Sequence, residues 1–126
     1  MAKIKNFHSN EWHIQHDFFN WLQGYPDIRC MTISIPNEKG NRTVKEMCFL
    51  KMTGLSAGAP DVAIFIPCNG YHGMFIEFKS LKGKLSTPQT EMQKRLSAKN
   101  YKCVTCYSGG EAAQELREYF KGYLNI

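Results

Sequence analysis

Apolar residues recur near the start of the chain at the spacing expected of a helix. They stand at i, i+4, i+7 and i+8, which places them on one face of an α-helix: Ile14, Phe18, Trp21 and Leu22. Ser9 can cap this helix at its start, and the turn residues that begin at Gly24 end it. We therefore predict a first helix that runs to about residue 23 and buries one face.

Short apolar runs and further helical stripes alternate along the rest of the chain. We predict strands over residues 28–35, 62–66, 74–76 and 101–107, and helices over residues 43–52, 87–99 and the segment after Gly110. The third helix is expected to begin with Thr87 as its N-cap and Pro88 at the first helical position. This order of elements is typical of the α/β class, with a mixed β-sheet flanked by helices.

The two central strands predict an antiparallel hairpin, because the segment 67–73 between them has the composition of a turn. If the turn is centred on Asn69, Asp61 lies directly opposite Glu77, with Cβ atoms about 5 Å apart. Side chains alternate along a strand, so Lys79 projects from the same face as Glu77. The hairpin is therefore expected to gather two carboxylates and one ammonium group.

Two neighbouring carboxylates repel each other unless a cation neutralises them. A hard divalent ion such as Mg²⁺ accepts oxygen ligands in this number and leaves positions for water and phosphate. A lone E-x-K sequence is more often a pair of solvated side chains on an exposed strand. Asp61, which follows a strand entry shaped by Gly58 and Pro60, favours the metal site instead.

Two motifs in this region resemble those of a known nuclease family. Pro60-Asp61, fifteen further residues and then Glu77-Phe78-Lys79 resemble the PD-(D/E)XK nuclease signature. A longer pattern resembles the VRR-Nuc branch in particular: Gly54-Leu55-Ser56-Ala57-Gly58-Ala59-Pro60-Asp61, with Ser86-Thr87-Pro88-Gln89 downstream. The resemblance extends over roughly residues 11–120 and implies a restriction-endonuclease-like core.

The resemblance also implies roles for individual residues. Mg²⁺, for which Mn²⁺ would substitute, is expected to bind Asp61, Glu77, the main-chain carbonyl of Phe78 and Glu11 in the first helix. From its position alone, in the first turn of a helix, Glu11 would be expected only to interact favourably with the helix dipole. The remaining assigned roles are catalytic: Lys79 orients a water or offsets charge on the phosphate, and Gln89 positions the nucleophile or a phosphate.

Charge indicates a polyanionic partner. The chain has 126 residues and a net charge of +5, and residues 79–102 contain seven basic residues and one acidic residue. We expect DNA to bind at Arg42, Lys82 and Lys84. Lys39, Arg42, Lys45 and Lys51 either line a DNA groove or are ordinary solvated charges.

Length and cysteine content suggest a single intracellular domain. We expect one nuclease domain over residues 1–126, in which residues 1–8 form a loose arm. Five cysteines, an odd number, indicate reduced thiols, and Cys103 and Cys106 are expected in the core rather than in a zinc site. No apolar run reaches the roughly 20 residues that span a bilayer, and the N-terminus does not resemble a signal peptide. We therefore expect no membrane contact and a cytoplasmic location, in a bacterial or virus-infected cell.

These features together predict a metal-dependent DNA endonuclease, active on branched DNA such as four-way junctions. Stand-alone members of the branch resemble Holliday-junction resolvases, which implies a homodimer. The terminal helix, with Leu116, Tyr119, Phe120 and Tyr123, is a candidate interface, although these residues can equally belong to the core. The alternatives are a catalytically weak DNA-binding module and a restriction-type endonuclease of the same fold.

Overall fold

A four-stranded mixed β-sheet is the frame of the protein. The structure is a computed structural model that describes residues 10–39 and 42–126; the predicted arm at residues 1–8 and the cap at Ser9 lie outside these ranges. The strands lie side by side in chain order: β1 (Thr32–Ser34), β2 (Val62–Ile64), β3 (Met74–Phe78) and β4 (Lys102–Cys106). β1, β2 and β3 pair antiparallel, and β3 and β4 pair parallel.

Helices flank this sheet, and the predicted α/β class with a mixed sheet is confirmed. The described helices are α1 (Asn10–Leu22), α2 (Pro26–Arg29), α3 (Val44–Met52), α4 (Thr87–Ala98) and α5 (Gly109–Tyr119). The chain passes from β3 to β4 through α4, because two strands that pair in parallel need a crossover connection, which is usually a helix. Within the described residues, no helix has the length and apolar character needed to cross a membrane.

The core lies where α1 and α5 pack against the sheet. Phe18 and Leu22 from the predicted α1 stripe are fully buried, and Ile14 and Trp21 pack at the edge of the same cluster. The Phe18 and Phe78 rings lie 5.6 Å apart, centroid to centroid. Consecutive side chains on a strand point to opposite faces of the sheet. Because Phe78 points into this core, its neighbour Glu77 on β3 points to the other face.

Two local predictions were wrong. The strand expected over residues 28–35 is shorter, because Pro26 opens the helical turn α2 and Ile28 is buried within it. The N-cap of α4 is Ser86, not Thr87: the Ser86 hydroxyl accepts from the Gln89 N–H, and the Gln89 side chain accepts from the Ser86 N–H. This reciprocal capping box requires Ser and Gln three residues apart, which Thr87 does not provide.

One face of the terminal helix belongs to the core. Leu116, Tyr119 and Phe120 are 0%, 4% and 1% exposed, whereas Tyr123 is 70% exposed. The Tyr119 hydroxyl also donates to the Ile66 carbonyl at 2.8 Å. Three of the four residues suggested for a dimer surface therefore belong to the core, which is the alternative that the sequence left open, and the part that Tyr123 would take in a dimer stays a prediction.

Candidate active site

The β2–β3 hairpin sets Asp61 beside Glu77. Val62 pairs with Ile76, and the Asp61 N–H donates to the Ile76 carbonyl at 3.1 Å, so the same register carries Asp61 opposite Glu77. Asn69 has a positive φ of 49° in the turn, a conformation that Asn tolerates better than most residues. The register predicted from a turn centred on Asn69 is thus confirmed.

Both carboxylates are removed from solvent. Asp61 is 3% exposed and Glu77 is 2% exposed, so each needs hydrogen-bond partners to offset its desolvation. Asp61 Oδ2 accepts from the Phe78 N–H at 2.7 Å, and Asp61 Oδ1 accepts from Asn37 Nδ2 at 2.6 Å. Asp61 is therefore held in one orientation from two sides.

The ammonium group of Lys39 lies at the centre of the site. Its Nζ is 3.0 Å from Glu11 Oε1 and 2.8 Å from Asp61 Oδ2. It is 2.9 Å from the Phe78 carbonyl oxygen and also contacts Glu77 Oε2. The structure therefore brings together, around a single atom, the four groups expected to bind metal.

A short loop between β1 and α3 delivers Lys39 to this position. Asn37 Oδ1 accepts from the Lys39 N–H at 3.0 Å, and Arg42 Nη1 donates to the Asn37 carbonyl. Lys39 is not an ordinary solvated charge, because its ammonium group is directed inward to the carboxylates. Arg42 is partly buried against the same loop, and its contact with DNA stays a prediction.

Burial and mutual repulsion perturb the ionisation of this cluster. Burial, followed by the hydrogen bond and negative charge of Asp61, raises the pKa of Glu77 to about 8, even though Lys39 acts in the opposite direction. Burial alone would lower the pKa of Lys39, but the carboxylates of Asp61 and Glu77 outweigh it and raise that pKa above its usual range. One ammonium group therefore neutralises the cluster incompletely.

The donor set fits a hard divalent cation. It consists of three carboxylates and one main-chain carbonyl, which are the oxygen ligands that Mg²⁺ prefers. The ammonium group is a cation that already occupies the position of such an ion. Within residues 10–39 and 42–126, no group of three His, Cys, Asp or Glu side chains is arranged to hold a metal ion as it stands; the oxygens surround Lys39 at ion-pair distances instead.

Lys79 follows directly after β3, two residues beyond Glu77, so that alternation of side chains directs it to the same side of the sheet. The residue is 9% exposed, and its N–H donates to the Cys106 carbonyl at 3.0 Å. This hydrogen bond extends the β3–β4 pairing and fixes the Lys79 backbone. In the part of the chain that the structure describes, the Lys79 ammonium has no carboxylate partner within 4.0 Å.

The two sequence motifs meet at the start of α4. A Cβ atom at Gly58 would lie 2.2 Å from the Pro88 carbonyl oxygen and 2.9 Å from the Gln89 nitrogen, and Gly58 has a φ of +80°. Only glycine permits this approach. Gln89 is thereby placed beside the loop that leads to Asp61, with its side-chain oxygen 2.9 Å from the Ser86 nitrogen in the capping box. The catalytic role assigned to Gln89 stays a prediction.

Three polar residues near the site escaped the sequence-based assignment. Thr105 on β4 pairs with Glu77 on β3, and Gln93 Nε2 donates to Thr105 Oγ1 at 3.0 Å. Asn37 binds Asp61 as described above. Gln93 follows Gln89 by one helical turn, so its helix face was predictable, but its partner on β4 was not.

Two lysines assigned to DNA and two cysteines assigned to the core are the remaining predicted residues. Lys82 and Lys84 are exposed in the segment between β3 and α4, three and five residues after Lys79. Cys106 is 1% exposed, and its burial raises the pKa of its thiol to about 12. Cys106 therefore lies in the core as predicted, whereas Cys103 is only half-buried, and both are free thiols.

Comparison with known proteins gives a consistent result. Residues 4–109 match the model of the VRR-NUC domain. A solved structure of a VRR_NUC domain protein superposes with a TM-score of 0.76 at 23% sequence identity, over 90% of this chain and 90% of that chain. At this level of identity, the likeness concerns the fold. No curated protein matches the sequence significantly.

Proposed function

The chain belongs to the VRR-NUC domain family, a nuclease-type fold, and from this we propose that it is a Mg²⁺-dependent endonuclease that hydrolyses DNA phosphodiesters. The observation that carries the proposal is the convergence of Glu11, Asp61, Glu77 and the Phe78 carbonyl on one cation position. Elements far apart in sequence contribute these oxygens, and repulsion between them opposes their assembly. A site for a divalent cation accounts for such an arrangement.

The proposed ligands are those four groups, with Mn²⁺ as a substitute for Mg²⁺. When bound, the metal would polarise the scissile phosphate and lower the pKa of a water molecule. Asp61 is oriented for this role by the Phe78 N–H and Asn37. The burial of Asp61 and Glu77 strengthens their interaction with a cation, since fewer water molecules screen it.

Lys79 and Gln89 are proposed to act on the reacting groups. The Lys79 ammonium would orient the attacking water or offset negative charge on the phosphate. Its lack of a carboxylate partner among the described residues leaves it available for that contact. Gln89 lies in the first turn of α4, where the main-chain N–H groups favour an anion, and would position a phosphate oxygen.

The proposed substrate is branched DNA, such as a four-way junction, bound by a homodimer. Lys82, Lys84 and Arg42 would contact phosphates, and the basic excess in residues 79–102 supplies the long-range attraction. Resolution of a junction requires two nicks in strands of like polarity. A two-fold dimer places two identical sites across a symmetric substrate.

The direct test is cleavage of duplex, single-strand, flap and four-way-junction DNA with Mg²⁺ or Mn²⁺. Glu77→Ala and Asp61→Ala are expected to abolish cutting and to retain the fold, whereas Lys79→Ala is expected to bind metal without turnover. Glu118→Ala, which changes an exposed glutamate on α5, is the matched control and should cut normally. Substantial Mg²⁺-dependent cutting by purified Glu77→Ala would exclude this site.

A further inference from the structure

Lys39 occupies the position that the proposed metal ion requires. We propose that Lys39 is an intramolecular competitor of the metal: its ammonium group fills the site when no metal is bound and leaves when the metal enters. Lys39 would then set the metal affinity of the protein. The inference rests on the proposed function, because it concerns the same four oxygens.

The geometry makes the two cations mutually exclusive. Nζ of Lys39 is 2.8 Å from Asp61 Oδ2, 2.9 Å from the Phe78 carbonyl and 3.0 Å from Glu11 Oε1. A magnesium ion lies about 2.0–2.1 Å from its ligands. An ion held by these oxygens would therefore overlap the ammonium nitrogen, and charges of +2 and +1 at such a distance repel strongly.

The Lys39 side chain can leave the site while the backbone of its loop stays attached to Asp61. Asn37 binds Asp61 Oδ1, whereas Lys39 binds the other oxygen, Oδ2. Asn37 also accepts from the Lys39 N–H, so the backbone stays anchored at Asp61 when the lysine side chain rotates away. That side chain is 29% exposed, and its flexible four-carbon stem gives the ammonium group access to water.

Competition predicts opposite effects of Lys39 on the two states of the protein. Without metal, Lys39 separates three carboxylates that would otherwise face one another, and it therefore stabilises the fold. With metal, the same interactions must be broken before the ion binds. Removal of the ammonium group should destabilise the metal-free protein and tighten metal binding.

The first test compares wild type with Lys39→Met in calorimetric titrations with Mn²⁺ and Mg²⁺. If Lys39 fills the site in at least nine of ten metal-free molecules, the variant should bind metal about tenfold more tightly or better. Its melting temperature should be lower without metal and should approach that of wild type at saturating metal. Lys45→Met, on the exposed surface of α3, is the matched control and should leave the metal affinity within about twofold of wild type, since its charge is solvent-screened.

The second test detects the movement of Lys39 in the wild-type protein. Amine acetylation followed by peptide mass spectrometry reports whether the ammonium group is held in ion pairs. Lys39 should be protected without metal and become about tenfold more reactive relative to Lys45 at saturating Mg²⁺, in proportion to its release. This measurement separates displacement from a simple charge effect, which would tighten binding without exposing Lys39.

The outcomes distinguish this inference from the proposed function. If wild type binds metal and Lys39→Met binds it no more tightly, or if Lys39 stays protected at saturating metal, the competitor role is overturned and the metal site stands. If neither protein binds metal, the proposed metal dependence fails and the competitor role fails with it. Should Lys39→Met not fold without metal, acetylation of the wild type decides alone.

Discussion

Glu77 is a buried carboxylate that is unfavourable for folding but is required by the proposed metal site. It is 2% exposed beside Asp61, and burial together with that neighbour raises its pKa to about 8. An apolar side chain at this position would avoid the repulsion. The proposed metal ion would account for a carboxylate at this position, because its two positive charges would offset the repulsion between Glu77 and Asp61.

The raised pKa predicts a pH-dependent metal affinity. Glu77 would bind the proposed metal only when deprotonated, and a pKa of about 8 means that it holds a proton below about pH 8 in the metal-free protein. Affinity for Mg²⁺ should therefore rise with pH, by up to about tenfold per unit below that value, and level off above it. Titrations in buffers of different ionisation enthalpy should show close to one proton released at pH 7. An affinity that is constant from pH 6 to pH 9 would contradict the shift.

At the scale of elements, the site depends on how closely the glycine-containing loop before β2 approaches α4. Gly58 contacts Pro88 and Gln89 at the first turn of α4, where the Ser86–Gln89 capping box begins the helix. On the other side, β3 carries Glu77 and pairs with β4. The loop and the helix therefore have to keep their spacing for Gln89 to lie beside the loop that leads to Asp61.

This contact predicts different effects of alanine at two glycines of the same loop. Gly54 and Gly58 both have positive φ angles, but a Cβ at Gly54 meets nothing within 4 Å, whereas one at Gly58 meets the Pro88 backbone. Gly54→Ala should cost about 1–2 kcal/mol from backbone strain alone. Gly58→Ala should cost more and also reduce cleavage, because α4 must shift. Chemical denaturation and kinetics measure both effects, and equal losses in the two variants would contradict a specific role for the contact.

For the whole molecule, charge determines how DNA would be attracted. The net charge is +5, and the exposed Lys82 and Lys84 lie between β3, which carries Glu77, and α4. This segment is one candidate path for DNA phosphates. The exposed Lys45 and Lys51 on α3 offer a second path, so the two surfaces can be compared by experiment.

Salt dependence distinguishes these surfaces. If Lys82 and Lys84 each contact a phosphate, replacing both with serine should reduce the slope of log affinity against log salt by about 1.8, since each contact contributes roughly 0.9 for duplex DNA. Affinity for all DNA shapes should fall alike. Replacing Lys45 and Lys51 is the matched comparison and should leave the slope nearly unchanged. The reverse result would place the DNA path along α3.

The proposed dimer is tested by sedimentation and by mixed active sites. The protein should sediment as a dimer at micromolar concentration, through a surface other than the buried residues of α5. Mixed dimers of wild type and Glu77→Ala should nick a four-way junction in one strand without completing resolution. A protein that stays monomeric both free and on DNA would exclude junction resolution by a dimer while leaving single-site cleavage intact.

The sequence by itself determined the features that arise from local periodicity and turn chemistry. The stripe that contains Phe18 and Leu22 identified α1 and its buried face, because side chains recur every 3.6 residues along a helix. A turn centred on Asn69 was enough to set Asp61 opposite Glu77, since pairing in a hairpin follows from its turn. These regularities, together with the family motifs, indicated the α/β fold and four of the groups at the site.

Only the tertiary structure decided the contacts that depend on how separate elements pack. Lys39 is 22 residues from Asp61 and 38 from Glu77 along the chain, and nothing in its local sequence distinguishes an inward-facing lysine from a solvated one. Leu116 and Phe120 have the composition of either a core or an interface, and their packing on the sheet decided between the two. Periodicity identifies the face on which a side chain lies, whereas its partner is selected by the three-dimensional arrangement of the whole chain.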